Sequence, residues 1–200
     1  MKRAACARIN LVHLKNNLVA IRKLANNSKV MAVVKADAYG HGMLEVCNSL
    51  SDADAFSVAY VNEALELRAN GIKQPILALQ GFSSSNDLKN AIEHDIQVVI
   101  HHPEQLKILK SISNTANLDV FVKIDTGMHR LGFAPQEFDS IFAELKSFLS
   151  PKSKIRLMTH LACADEVDNV VTQQQLEQFE LITKDTSCEQ SIANSAGILA

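Results

Sequence analysis

Short runs of β-branched and apolar residues alternate along the chain with longer stretches in which apolar positions recur every three or four residues. The runs are Val30–Val34, Ala55–Ala59, Pro75–Leu79, Gln97–Ile100, Val120–Ile124, Ile155–Thr159 and Ser191–Ala193. Each has the length of a strand. Most are apolar at successive positions, as strands buried on both faces of a parallel sheet are. Between them lie amphipathic patterns that predict helices over Leu11–Leu24, Asn62–Ala69, Asp87–Glu93, Pro103–Lys110, Pro135–Phe148 and Val171–Thr183. Their ends carry matching signals. Asn62 is a cap candidate, Gly71 stands where that helix would stop, and a Ser/Asn cluster precedes Asp87. Pro103 occupies a first turn, where its missing N–H removes no helical bond.

Strand–helix alternation at this rhythm predicts right-handed βαβ units and a parallel sheet. Two architectures satisfy it. An open doubly wound sheet would seat a dinucleotide at a glycine-rich first turn. Here that turn, KADAYGHG, has two glycines two apart and no third to complete G-x-G-x-x-G. A (β/α)8 TIM-type barrel takes about 250 residues when whole. The 200 residues here hold about seven strands and end in the apolar stretch AGILA. The expectation is therefore a single barrel domain over residues 1–200, truncated after about the seventh strand.

Composition narrows the partners. The chain is 47% apolar and 21% charged, enough to bury a substantial core. Twenty basic residues face twenty-two acidic ones, a formal charge of -2 that offers nothing to nucleic acid or an anionic membrane surface. Trp is absent and aromatics make up 5%, so stacking platforms are few. No apolar run approaches the roughly 18–20 residues that cross a bilayer. The opening MKRAAC is basic like the head of a signal peptide, but Arg8 and Asn10 interrupt what should be its apolar stretch. A cytoplasmic protein is expected. Cys6, Cys47, Cys163 and Cys188 are scattered, with no C-x-x-C, so free thiols and no metal site are expected.

The chemistry-bearing residues cluster after predicted strands. Lys35 follows the apolar Met31–Val34, at the end of a parallel strand that faces the mouth where barrel enzymes keep their chemistry. A lysine partly withdrawn from water there can offer a free amine to a carbonyl. Asp37, Tyr39, His41 and two glycines follow, suggesting a polar, flexible loop able to hold an anion. In VFVKIDTGMHRLGF, strand alternation places Lys123 and Asp125 on one face. Gly127 permits an unusual turn, and Arg130 is a permanent planar cation suited to a phenolate, carboxylate or phosphate. His160 ends the sixth run. Asn194, Ser195 and Gly197 follow the seventh, where such barrels usually cradle phosphate.

These segments resemble the bacterial alanine racemases. AVVKADAYGHG looks like their pyridoxal-phosphate lysine segment and KIDTGMHRLGF like a second signature, in the right order and at the right separation. ARINLVHLKNNL, SVAYVNEALELRANG, THLACAD and NSAG also fit, so the resemblance spans the chain. It implies a barrel followed by a mainly β C-terminal domain, absent from these residues, in head-to-tail homodimers. It implies pyridoxal 5'-phosphate bound covalently at Lys35, which is also the base on one face of the substrate. Tyr39 and Ser195 would hold the phosphate, and Arg130 the phenolic oxygen and the substrate carboxylate. Lys123 would be the position carbamylated in many members. His160 would support an arginine facing the pyridine nitrogen, with Asn194 behind the first contacts. That arginine and the second base lie beyond Ala200 in the family, so these residues alone should not racemise. The function implied is interconversion of L- and D-alanine, supplying D-alanine for peptidoglycan. The alternatives are a racemase of another small amino acid such as serine, a decarboxylase relative, or a non-catalytic barrel that carries the cofactor.

Overall fold

A computed structural model describes residues 6–113, 115 and 118–199. The basic opening residues Lys2 and Arg3 and the terminal Ala200 lie outside them. Seven strands form one sheet in chain order: β1 (Met31–Val33), β2 (Ala55–Val58), β3 (Ile76–Ala78), β4 (Ile96–Ile100), β5 (Val120–Lys123), β6 (Ile155–Met158) and β7 (Gln190–Ser191). Every neighbouring pair is parallel. Strands in strict chain order, each returning through a helix, wind one way only. This is the barrel path, not the doubly wound one, where the order reverses about a switch point. The sheet is open between β1 and β7, as expected of a barrel truncated after its seventh strand.

The strands are shorter than the apolar runs, because the sheet's ladder outlasts its regular geometry. Val34, Leu79 and Thr159 still donate to Ser57, Val58 and Ser191 across the sheet, at 2.8, 2.9 and 3.1 Å. β7 sits one residue earlier than the run Ser191–Ala193 predicted. It is also the shortest strand, and among the described residues only β6 pairs with it.

The helices on the outside are α1 (Leu11–Leu24), α3 (Met43–Ser49), α4 (Val61–Ala69), α5 (Ser85–Glu93), α6 (Pro103–Lys110), α7 (Phe138–Phe148) and α8 (Val170–Thr183). A 3-10 turn at Pro135–Glu137 precedes α7 and splits the single helix predicted there. Asn62 is not a cap. The helix begins one residue earlier, and Glu63 bonds back to the Tyr60 N–H at 3.1 Å. Ser84 and Pro103 do act as predicted, one as a cap accepting from Asp87 and one in a first turn. Three short elements had no periodic signal: α2 (Lys35–Gly40), α3, and α9 (Ser195–Leu199). All four cysteines are free; Cys47 is fully buried, and burial pushes its thiol up to about 12, so it packs as a small hydrophobe.

Two apolar layers result from the strand alternation. Phe56, Ile76, Val98, Ile100, Val120, Val122 and Leu157 face the helices and pack with Leu67, Leu88, Leu109, Leu145 and Phe179. Leu77, Val99, Phe121 and Met158 fill the inside, with Met31 and Leu79 against them. The inner face changes character along its axis. At the strand starts, Arg156 bonds Asp119 at 3.1 Å and Glu189 at 2.7 Å and lies over the Phe121 ring, and Glu189 also meets Lys29 at 3.1 Å. Since Lys29 precedes β1 and Glu189 precedes β7, this chain of charges spans the sheet's two open ends.

Arg156 and Lys29 hold the Glu189 carboxyl well down, at about 2 rather than 4.5. A carboxyl so depressed stabilises the fold above pH 4.5 and loses that contribution as pH falls from about 4.5 to about 2. The Glu189 side chain is 55% exposed, so solvent screens the effect and it is modest. Urea midpoints should fall across this window, and Glu189→Gln should flatten the fall. An equal pH dependence in the variant would show that Glu189 contributes nothing.

Candidate active site

At the mouth, β1 leads into a turn of unusual hand. Ala36, Asp37, Ala38 and Tyr39 have φ of 53, 54, 51 and 58°, one left-handed helical turn built without glycine. L-residues resist this conformation by about 1–2 kcal/mol each. Several bonds hold it. Ala38 donates to the Val34 carbonyl at 2.9 Å and Gly42 to the Asp37 carbonyl at 3.0 Å. The Asp37 carboxylate accepts from the Met43 N–H at 2.7 Å, capping α3. The Ala36 N–H donates to Glu63 of α4 at 2.7 Å. The flexible anion-holding loop read from KADAYGHG is therefore a bonded turn, with its aspartate committed to backbone. It leaves Lys35 half-buried and Tyr39 exposed, the lysine amine 6.0 Å from the tyrosine ring centre.

Lys123 ends β5, two residues mouthward of Phe121 on the inner face. Burial lowers its pKa, and the nearby Arg130 and Lys35 lower it further, with Asp125 opposing. His160, half-buried after β6, is likewise lowered by burial and then by Lys123, Arg130 and Lys35. Lys35, Lys123, Arg130 and His160 thus share one electrostatic neighbourhood, drawn from β1, β5 and β6. Arg130 is exposed and rides on a built loop. There Phe133 donates to the Lys123 carbonyl and Asp125 to the Phe133 carbonyl, both at 2.9 Å. Gly132 lies so close to the chain that an added Cβ would meet the Asp125 nitrogen at 2.6 Å.

Strand alternation predicts Asp125 on the same face as Lys123. Instead, one of its oxygens accepts from the Gly127, Met128 and His129 N–H groups, each at 3.0 Å. Burial alone would raise its pKa; the N–H bonds from His129 and Gly127 outweigh burial and hold it low. Its role is to shape the turn that carries Arg130.

Behind His160 sits Gln175 of α8, fully buried. It accepts from the Ala162 N–H at 2.9 Å and donates to the His160 carbonyl at 3.0 Å and the Thr126 hydroxyl at 3.4 Å. Thr126 and Thr159 join their hydroxyls at 2.8 Å. Neither Gln175 nor Glu63 stood out in the sequence, because a polar residue on an amphipathic helix reads as solvent-facing. Asn194 donates to the Leu161 carbonyl at 3.2 Å and accepts from the Gly197 N–H at 2.9 Å, so it braces α9 beside the His160 loop. Ser195 begins α9 and is exposed. Tyr39 and Ser195 stand on the first and last strands' loops, flanking the open seam. A groove of about 980 Å³ runs instead outside the Arg130 loop, between Asp125–Glu137 and Gln174, Glu177 and Leu181 of α8. Lys35, Lys123, Arg130 and His160 do not line it.

Residues 9–200 match the family described as "Alanine racemase, N-terminal domain". The chain belongs to the alanine racemase family. The alanine racemase of Shewanella woodyi is 46% identical over 199 residues, covering 100% of this chain and 56% of the relative. That of Shewanella loihica is 47% identical over 186 residues, 93% of this chain and 52% of the relative. The crystal structure of biosynthetic alanine racemase from Pseudomonas aeruginosa superposes with a TM-score of 0.88 at 38% identity, over 94% of this chain and 53% of that one. The alanine racemase structure from Acinetobacter baumannii gives 0.87 at 38% identity, over 96% and 57%. The chain thus spans about half the length of the family members it matches, and its seven strands correspond to part of their barrel.

Replacing Gln175 by Leu should leave the part-buried Ala162 N–H and His160 carbonyl without their side-chain partner. The expected loss is at least about 2 kcal/mol, read as a lower denaturant midpoint at unchanged slope. A midpoint equal to the parent's would mean the carboxamide is dispensable.

Proposed function

We propose that the protein interconverts L- and D-alanine with pyridoxal 5'-phosphate as cofactor, supplying D-alanine for peptidoglycan in the cytoplasm. The observation that carries this reading is Lys35, presented by a strained and braced turn at the mouth of a barrel from this family. The cofactor's chemistry fits the residues present. Lys35, Lys123 and Arg130 stand together, and no ion pair among the described residues engages any of them. Such a cluster suits an anionic ligand bearing a phosphate and a phenolate.

Racemisation removes a weakly acidic Cα proton and returns one to the opposite face, so it needs a base on each side. When bound, pyridoxal phosphate supplies the electron sink that makes this proton removable. Lys35 would hold the cofactor and move the proton on one face, that of the D-enantiomer. Tyr39 and Ser195 would bind the phosphate from either side of the seam. Arg130 would contact the phenolic oxygen and orient the substrate carboxylate, and His160 and Asn194 would support the ring side. Burial keeps the Lys123 amine less protonated than an exposed lysine's, which suits its reaction with carbon dioxide to a carbamate and a released proton. The carbamate's negative charge would then orient Arg130. The second base and the pyridine-facing arginine would come from the remaining family length, as would a β-rich second domain and the head-to-tail homodimer. Residues 1–200 alone are expected to be inactive.

The intact protein should convert L-alanine to D-alanine, followed by chiral chromatography; no conversion with added cofactor would overturn the reading. Borohydride reduction followed by peptide mapping should place the cofactor on Lys35, and label on another lysine would sink that assignment. Arg130→Lys keeps the charge but loses the planar fork. It should lower kcat/KM on the order of 100-fold and shift the cofactor absorbance. Unchanged kinetics with an unchanged spectrum would remove Arg130 from the site.

A further inference from the structure

Three helix-borne side chains reach up to the mouth and bond its loops two by two. Glu63 of α4 accepts from the Ala59 and Tyr60 N–H groups after β2, at 2.6 and 3.1 Å, through one oxygen. Its other oxygen accepts from the Ala36 N–H after β1, at 2.7 Å. Gln105 of α6 accepts from the His101 N–H after β4 at 2.8 Å and donates to the Gln80 and Phe82 carbonyls after β3 at 3.0 and 3.3 Å. Gln175 of α8 accepts from Ala162 after β6 and reaches Thr126 after β5. The loops are tied β1 to β2, β3 to β4 and β5 to β6.

The choice of acid or amide follows from the partners. Glu63 meets three N–H donors and no acceptor, so a carboxylate satisfies all of them and an amide would turn its NH2 against one. Gln105 and Gln175 each meet an N–H together with carbonyl oxygen, so they need a donor as well as an acceptor. Swapping acid for amide at any of the three sites therefore opposes like with like.

Glu63 differs from the other two in what it holds. Ala36 directly follows Lys35 and opens the left-handed turn. The Glu63 bond fixes the peptide from which the Lys35 side chain departs, and it does so from a separate βα unit. We propose that Glu63 is the positioning residue of Lys35, anchoring that peptide so that the lysine amine meets the cofactor carbonyl at the mouth. This rests on Lys35 being the cofactor lysine. Glu63 itself touches neither substrate nor cofactor.

Gln105 provides the control. Its clamp has the same architecture, but its loops carry none of the candidate site residues. In the intact protein, wild type, Glu63→Gln, Glu63→Asp and Gln105→Glu are loaded with pyridoxal phosphate and reduced with borohydride. Label on Lys35 is followed by peptide mapping over time, beside a thermal melt of each. The Lys35 amine is also titrated with an acylating reagent in cofactor-free protein. Glu63→Gln should slow labelling of Lys35 on the order of 100-fold and change the acylation rate. Gln105→Glu should lower Tm comparably and leave Lys35 labelling at the wild-type rate. Glu63→Asp should keep the local bonds to Ala59 and Tyr60 but fall short of Ala36; it should melt near wild type and still label slowly, which guards against a Glu63→Gln variant that does not fold. Wild-type labelling in Glu63→Asp, or loss of labelling in proportion to Tm across all three variants, would overturn the proposal. Label on a lysine other than Lys35 in the wild type would instead overturn the reading beneath it.

Discussion

Parallel strands joined by right-handed crossovers must bring all their C-terminal ends to one side of the sheet. The candidate site depends on that constraint. Lys35, His160 and Ser195 follow β1, β6 and β7 and Lys123 ends β5, so residues far apart in sequence are delivered to the same mouth. The opposite ends receive the structural charges. Between the two lies an apolar layer of buried Leu77, Val99, Phe121 and Met158. A strand turned antiparallel would move its terminal residue to the wrong end and dismantle the cluster.

The two ends solve opposite electrostatic problems. At the strand starts, Arg156 and Lys29 are matched by Asp119 and Glu189, and the chain of contacts reaches across the open sheet. Such a network satisfies its own charges and asks for no ligand. At the mouth no ion pair among the described residues engages Lys35, Lys123 or Arg130, and the neighbouring carboxylates are bonded to backbone. Asp125 is bonded to its loop, Asp37 to α3, and Glu63 to three backbone N–H groups. Charge left uncompensated in a half-buried place is what a binding site for an anion requires.

Backbone strain follows the same division. The turn after β1 places four non-glycine residues in left-handed geometry immediately beyond Lys35. A local sequence does not adopt this by preference. It persists because neighbouring elements over-determine it, through Val34, Asp37 and Glu63. The lysine segment was legible as a motif for its residue types. Its hand was not, because nothing in Ala-Asp-Ala-Tyr signals positive φ. Asp125 misled for a related reason. Strand alternation places it beside Lys123, but the strand ends at Lys123 and the carboxylate turns onto its own loop.

The local pattern of apolar and polar residues determined the order of the strands and of the longer helices, the parallel sheet and the residue types at each strand end. These are properties of spacing, and spacing is written in the chain. The two long motifs also carried the family resemblance, since each is contiguous. Tertiary structure alone decided which polar side chains turn inward. Glu63, Gln105 and Gln175 lie on helices whose pattern marks them as surface. They become buried or bonded only because a strand loop folds over each, offering backbone groups that have no other partner. Partners so distant in sequence, 27 residues for Glu63 and Ala36 and 49 for Gln175 and Thr126, leave no periodic trace. Their pairing exists only once the sheet has brought the loops together.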